Sequence, residues 1–272
     1  MNVLEQFRLD GRVAVVTGAL GKLGSIWVET LLDAGARVAA LDLPGARPVP
    51  EFTALQQRTS PLRLQVLAGD VSDRAGLNDA LQECVRLLDE PSILVNNAGI
   101  DQPPSAGNQR HGLHDIPAEV CRRILDVNLV GLFVATQVFT RPMVKAKRGS
   151  VINIGSLYAS VSPDARFYDH LPGDEPFLKP PMYGASKAGV VSLGRYLATH
   201  LAPHGVRVNT LSPGGVLGGQ DPEFQRKFNA RVPLGRMANK NDLQGPLLFL
   251  ASDASAYVTG TELRVDGGFT AW

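Results

Sequence analysis

The sequence predicts an α/β fold, a doubly wound parallel sheet of about seven strands with helices on both faces. Three observations lead there. Short aliphatic runs alternate with longer amphipathic stretches along the whole chain. Most of those runs are continuously apolar rather than alternating, as strands buried on both faces are. The first of them leads into a glycine cluster that opens a helix, Thr17-Gly18-Ala19-Leu20-Gly21-Lys22-Leu23-Gly24.

The elements follow in order. Met1–Asp10 carries acidic residues and no apolar core, so it does not read as a signal peptide. Val13–Thr17 is the first strand, and a helix over Leu23–Ala34 follows the glycine turn. Arg37–Asp42 and Leu62–Ala68 are the next strands, with a helix over Arg74–Asp89 after them. Ser92–Asn96 is the fourth strand, followed by one long helix, Ala118–Val144, that Pro142 should end or kink. Ser150–Ile154 and Val206–Leu211 flank a helix over Tyr183–Ala202, and a helix over Asn241–Leu250 precedes the last strand, Glu262–Asp266. Strand–helix alternation implies parallel pairing through right-handed crossovers.

The chain has 272 residues. That length suits one α/β domain, 1–272, and no internal repeat or linker divides it. An irregular stretch, 160–181, carries Pro163, Pro172, Pro176, Pro180 and Pro181. A segment of that kind inside a compact domain reads as a lid or binding loop, or else as a solvated surface loop or a subunit contact. Its polar residues are Asp164, Arg166, Tyr168, Asp169, His170, Asp174, Glu175 and Lys179. If it covers the mouth of a site, they suit a polyhydroxylated ligand. Residues 216–232 are a second candidate lid.

Hydrophobic residues make up 44% and charged residues 19%, which argues for a globular chain without extensive disorder. A net charge of +1 gives no electrostatic case for nucleic acid or an anionic membrane. No apolar run approaches a membrane span. The basic cluster Lys145, Lys147 and Arg148 falls at a helix end, where cations complement the dipole. Cys84 and Cys121 have neither metal-ligand spacing nor a CxxC pattern, so they read as buried reduced thiols of a cytoplasmic protein with no metal.

The glycine cluster reads as a dinucleotide site. Glycines let backbone N–H groups approach a pyrophosphate, and the helix N-terminus adds partial positive charge. A plain strand–helix turn is the alternative. A carboxylate at Asp42, the end of the second strand, can accept hydrogen bonds from ribose hydroxyls and repel a 2′-phosphate, which favours NAD over NADP; a strand-end cap is its other reading. Lys22 pulls the other way, since a cation in the loop could reach a phosphate. Asp70, with Val71 after it, lies beside the adenine if the sheet is doubly wound, or serves as a turn former.

Tyr183 and Lys187 are four positions apart, which on a helix places them on one face a turn apart. A phenol and an ammonium held so form a proton-transfer pair, the charge favouring phenolate and lowering the tyrosine pKa. An exposed helical pair without chemistry is the alternative.

In this order the motifs resemble the classical short-chain dehydrogenase/reductase family over nearly the full chain. The matches are Gly18, Gly21 and Gly24, then Asp70, then Asn96-Asn97-Ala98-Gly99, Asn128, Ser156, Tyr183 with Lys187, Pro213-Gly214 and Asp266-Gly267-Gly268. The resemblance implies a Rossmann-type fold and NAD-dependent interconversion of a secondary alcohol and a ketone. It implies Tyr183 as general acid/base, with Lys187 lowering its pKa and holding the nicotinamide ribose. Ser156 donates to the substrate oxygen, and Asn128 holds a water behind the lysine. It also implies cofactor contacts from Gly18, Gly21, Lys22, Leu23, Asp42, Asp70, Val71, Asn97, Ala98, Gly99, Tyr183, Lys187, Pro213, Gly214 and Val216, and a homotetramer or homodimer. Trp272, at the chain end, would be buried against another subunit.

Two departures stand out. The family's TGxxxGxG places a glycine where this chain has Lys22, and the interval from Ser156 to Tyr183 is long. Here, at Ser212–Val216 and at Val232–Met237, the chain is similar to a subgroup of bacterial sugar and surface-glycan pathways. The expected substrate is a small, polar, sugar- or polyol-like alcohol or ketone. A catalytically silent NAD-binding redox sensor and a sugar-nucleotide epimerase or dehydratase are the competing readings.

Overall fold

The structure is a computed structural model that describes residues 2–101, 110–173 and 177–272. Its centre is a 7-stranded sheet in the order β3-β2-β1-β4-β5-β6-β7. The strands are β1 Val13–Thr17, β2 Arg37–Asp42, β3 Leu64–Ala68, β4 Ile93–Asn96, β5 Gly149–Ile154, β6 Val206–Pro213 and β7 Glu262–Val265. Every neighbouring pair is parallel. The order reverses between β1 and β4, and a cleft opens at the carboxyl ends of strands at such a switch point.

Burial on both faces explains the continuous apolar runs. In β1, Ala14 and Val16 pack into one layer with Trp27, Leu31, Phe52, Leu243 and Leu247. Val13 and Val15 pack into the other with Leu77, Cys84, Val138, Phe139 and Met143. Helices α1 (Lys22–Asp33), α2 (Pro50–Arg58) and α8 (Lys240–Ala251) therefore cover one face, and α3 (Arg74–Leu87), α5 (Leu132–Ala146) and α6 (Pro181–Leu201) the other.

The expected boundaries shift by a few residues, as helix ends commonly do, and four differences have physical causes. Helix α2 was not expected; it buries only Phe52 and Leu55, too few apolar positions to show a period. Helix α7 (Pro222–Arg231) lies inside the expected lid, with Asp221 as N-cap, proline at its start, and Phe224 and Phe228 buried a turn apart. The single helix expected over Ala118–Val144 is α4 (Ala118–Leu125), a π-helical turn Asp126–Gly131 and α5. Pro142 neither ends nor bounds α5, which continues to Ala146 with Phe139, Pro142 and Met143 buried around that point.

The composite stretch Ala118–Ala146 is long and apolar enough to cross a membrane by length and composition, contrary to the expectation of no such run. Half of its apolar window is buried within the fold, against α3, β4 and β5. Both cysteines are free, but only Cys84 is buried; Cys121 is half-exposed. Burial pushes the Cys84 thiol up to about 12.

The described part of 160–181 is anchored to the fold rather than wholly solvated. Phe167, Tyr168 and Phe177 bury themselves with Leu157, Phe224, Phe228 and Phe269 in a third cluster away from the sheet. Asp174, Glu175 and Pro176 lie outside the described residues.

Candidate active site

The glycine turn is held by close backbone approach. Gly18 has φ +62°, and a Cβ there would stand 2.8 Å from Ala98 Cα. A Cβ on Gly24 would meet the Gly18 carbonyl oxygen at 2.2 Å. Gly21 is the N-cap of α1. Thr17, which sequence reasoning passed over, anchors the turn: its Oγ1 accepts from the N–H groups of Asn97 and Ala98, each at 3.0 Å. The Asn97 amide donates to the Thr17 and Gly18 carbonyls, and its Oδ1 accepts from Trp27 Nε1 at 2.8 Å. Its side chain is thus spent on holding the turn.

A cleft of about 800 Å³ runs over the switch point, lined by Gly18, Asp42, Asp70, Val71, Ala98 and Gly99 among others. Asp42 accepts from Leu20 N–H at 2.8 Å and Leu43 N–H at 2.9 Å, which ties the end of β2 to the glycine turn. Asp70 accepts from the amide and hydroxyl of Ser72, the geometry of a turn former at the cleft edge. Lys22 faces elsewhere: its Nζ donates to the Leu217 carbonyl at 2.7 Å. It lines a separate cleft with Val216, while Leu23 packs on the core. The side chains of Lys22, Leu23 and Val216 are therefore not brought to the switch-point cleft. In this arrangement the Lys22 ammonium is engaged by Leu217 rather than aimed along the switch-point cleft.

Beyond this cleft lies a second pocket of about 500 Å³, lined by Asp101, Ser156, Tyr158, Lys179, Tyr183, Gly214 and others. The chain passes from one to the other between Ile100 and Asp101. Ser156 follows β5, and α6 starts at Pro181, so its first turns carry Tyr183 and Lys187 to the same place. Pro213 ends β6, and Gly214 packs so tightly that a Cβ would lie 2.7 Å from Asp266 Cα.

Lys187 Nζ is buried and donates to the Ile154 carbonyl at 2.8 Å. A Cβ on Gly99 would stand 3.7 Å from that Nζ and 3.3 Å from Asn128 Oδ1, which shows how closely the three converge. Asn128 sits in the π-helical turn, the kind of helix irregularity often found at functional sites. Its amide bonds Ile100 through both atoms, at 2.8 and 3.0 Å, and donates to Ser186 Oγ at 3.1 Å.

The electrostatics correct one expectation. The Tyr183 phenol is raised, not lowered: burial pushes it up, Asp101 adds to this, and a hydrogen bond with Ser156 partly offsets both. Lys187 lies 5.8 Å from the Tyr183 ring centroid, and burial pushes its own pKa down to about 8, with Asp101 opposing. Tyr158, also unanticipated, packs edge-on against Tyr183 at 6.4 Å between centroids. Neither Tyr158 nor Asp101 carries a motif signal, although Asp101 comes shortly after the Asn96–Gly99 segment.

Over residues 18–270 the chain matches a family model described as enoyl-(acyl carrier protein) reductase. It is 33% identical to a ribulose-forming D-arabinitol 2-dehydrogenase from Candida tropicalis, covering 100% of this chain and 96% of that one. The chain belongs to the short-chain dehydrogenase/reductase family. It is also 34% identical to a galactitol 2-dehydrogenase from Rhizobium johnstonii, over 100% of both chains. Among solved structures, it resembles a gluconate 5-dehydrogenase from Burkholderia cenocepacia in complex with NADP and tartrate, with TM-score 0.83, 29% identity and 100% coverage of both chains. As a family member it is an NAD(P)-dependent oxidoreductase that interconverts a secondary alcohol and a ketone.

Proposed function

We propose that this protein is an NAD-dependent polyol dehydrogenase. The observation that carries the reading is the convergence of Ser156 and Tyr183 on one pocket, with Lys187 and Asn128 directly behind them. The neighbouring cleft fits a dinucleotide: Gly18 leaves backbone where a Cβ would collide, and α1 begins beside it. Asp42 at the cleft supports NAD, because its carboxylate would repel a 2′-phosphate. Lys22, turned to Leu217, does not oppose that charge.

When bound, the nicotinamide supplies the hydride acceptor or donor. The Tyr183 phenolate takes the proton from the substrate hydroxyl in oxidation, and the phenol returns it in reduction. Ser156 hydrogen-bonds the same oxygen and stabilises phenolate. Lys187, buried behind Tyr183, would hold the ribose hydroxyls. Asn128 fixes the Ile100 backbone beside Lys187 and positions water for a proton relay. Gly18, Asp42, Asp70, Val71, Ala98 and Gly99 line the cofactor's path. The names of the two dehydrogenase relatives support a polyol as substrate, as does a pocket with charged and aromatic walls.

The described residues of 160–181, together with 216–232, would wall the substrate side as its lid. The exposed Trp272 and Tyr257 support a homodimer or homotetramer, and the free thiols a cytoplasmic setting. A panel of four- to six-carbon polyols with NAD or NADP, followed as absorbance of the reduced cofactor, tests the reading. Oxidation of at least one polyol with a higher kcat/KM for NAD is expected. Tight NAD binding without turnover of any polyol would favour a sensor, and a higher kcat/KM for NADP would reverse the cofactor assignment.

A further inference from the structure

The pocket beside Tyr183 contains a charged pair assembled from two distant segments. Lys179, at the end of the long insert, places Nζ 2.5 Å from Asp101 Oδ2. Its side chain is 9% exposed and that of Asp101 33%. The ammonium stands 4.9 Å from the Tyr183 ring centroid and 5.5 Å from that of Tyr158. Both residues line the pocket that also holds Ser156 and Tyr183. Other polar side chains at its wall are hydrogen-bonded within the fold. Gln220 bonds Val216 and Gly218, and Asp221 bonds Phe224 N–H and His170. Tyr158 and Tyr168 bond each other.

We propose that the Asp101–Lys179 pair is the substrate-recognition group of this pocket and selects neutral polyols over sugar acids. This deepens the polyol reading and rests on it. The ammonium donates to one hydroxyl oxygen of the chain while the carboxylate accepts from the neighbouring hydroxyl, and the reacting oxygen lies at Tyr183 and Ser156. A lysine alone in such a pocket would attract a carboxylate. Here Asp101 is paired with that ammonium and lines the same pocket, so a sugar acid meets a like charge. A vicinal diol offers one donor and one acceptor to a matching pair, and hydrogen bonds to charged groups are the stronger kind.

Kinetics of Lys179→Met, Asp101→Asn and the double variant, at saturating NAD, with a polyol and the corresponding sugar acid, test this. KM for the polyol is expected to rise about tenfold or more in each, with kcat affected less. In Asp101→Asn alone, the unbalanced ammonium should raise the ratio of kcat/KM for sugar acid over polyol by about tenfold. Should Asp101→Asn fail to fold because it leaves a buried cation unpaired, the uncharged double variant carries the KM test, and Lys179→Met against wild type the specificity test. Unchanged polyol KM in the folded variants, with normal wild-type turnover, would overturn the role of the pair alone. A wild-type protein that oxidises no polyol would overturn the polyol reading and this inference together.

Discussion

At the cofactor end of the cleft, backbone groups and small residues set the geometry: the Thr17 hydroxyl caps two amides, Asn97 reaches two carbonyls, and Gly18 and Gly24 allow contacts no side chain would permit. At the substrate end, long side chains from distant segments set it. Phe167 packs on Phe224, Phe228 and Phe269, Lys227 pairs with Asp169, and His170 with Asp221. The first region is a local motif completed by one neighbouring strand end. The second exists only when the insert, α7 and the C-terminal turn come together.

The largest expected effect falls where the two regions meet. Tyr183→Phe should lower kcat about 10²–10⁴-fold, the usual worth of a general acid/base, with NAD affinity kept in a fluorescence titration. Near-normal turnover would show that the proton passes elsewhere.

A pair of substitutions separates the two ends directly. Phe228→Ala removes a ring from the third cluster and should cost about 3 kcal/mol of stability, raising polyol KM and leaving NAD affinity unchanged. Gly18→Ala places a methyl against Ala98 in a left-handed backbone and should cost about 1–3 kcal/mol. It should weaken NAD binding about tenfold at unchanged polyol KM. Equal effects of both variants on both ligands would erase the distinction between the regions.

The smallest effect concerns Lys187. Its folded pKa, about 8, lies below the ordinary 10.5. Between those values the unfolded chain binds more protons than the folded one, so this lysine's contribution to stability rises with pH. Without NAD, the melting temperature of wild type relative to Lys187→Met should climb from pH 8 to pH 10. A flat difference would mean that the ammonium is not desolvated.

The two regions were unequally legible. The strands and the glycine turn could be read from period and spacing, and the order of motifs anticipated that Tyr183, Lys187, Ser156 and Asn128 lie close together. Helix α2 was missed for want of apolar positions. The α7 start, Asp221-Pro222-Glu223, was a readable cap signal that the lid reading absorbed. The place of Lys22 in the loop is visible in the sequence, whereas the Leu217 carbonyl that its ammonium donates to is 195 residues away.

By itself, then, the sequence determined the doubly wound sheet, the cofactor turn and the reaction type, since each rests on residues near in sequence or on backbone geometry that glycine and strand ends dictate. Only the tertiary structure decided that the Tyr183 phenol is raised rather than lowered. Burial and the charge of Asp101 outweigh the Ser156 hydrogen bond, and the neighbouring Lys187 is itself depressed by desolvation. It alone brought Lys179 to Asp101, because an ion pair between an insert and a strand-end loop depends on the packing that folds the insert down and leaves no period in the chain.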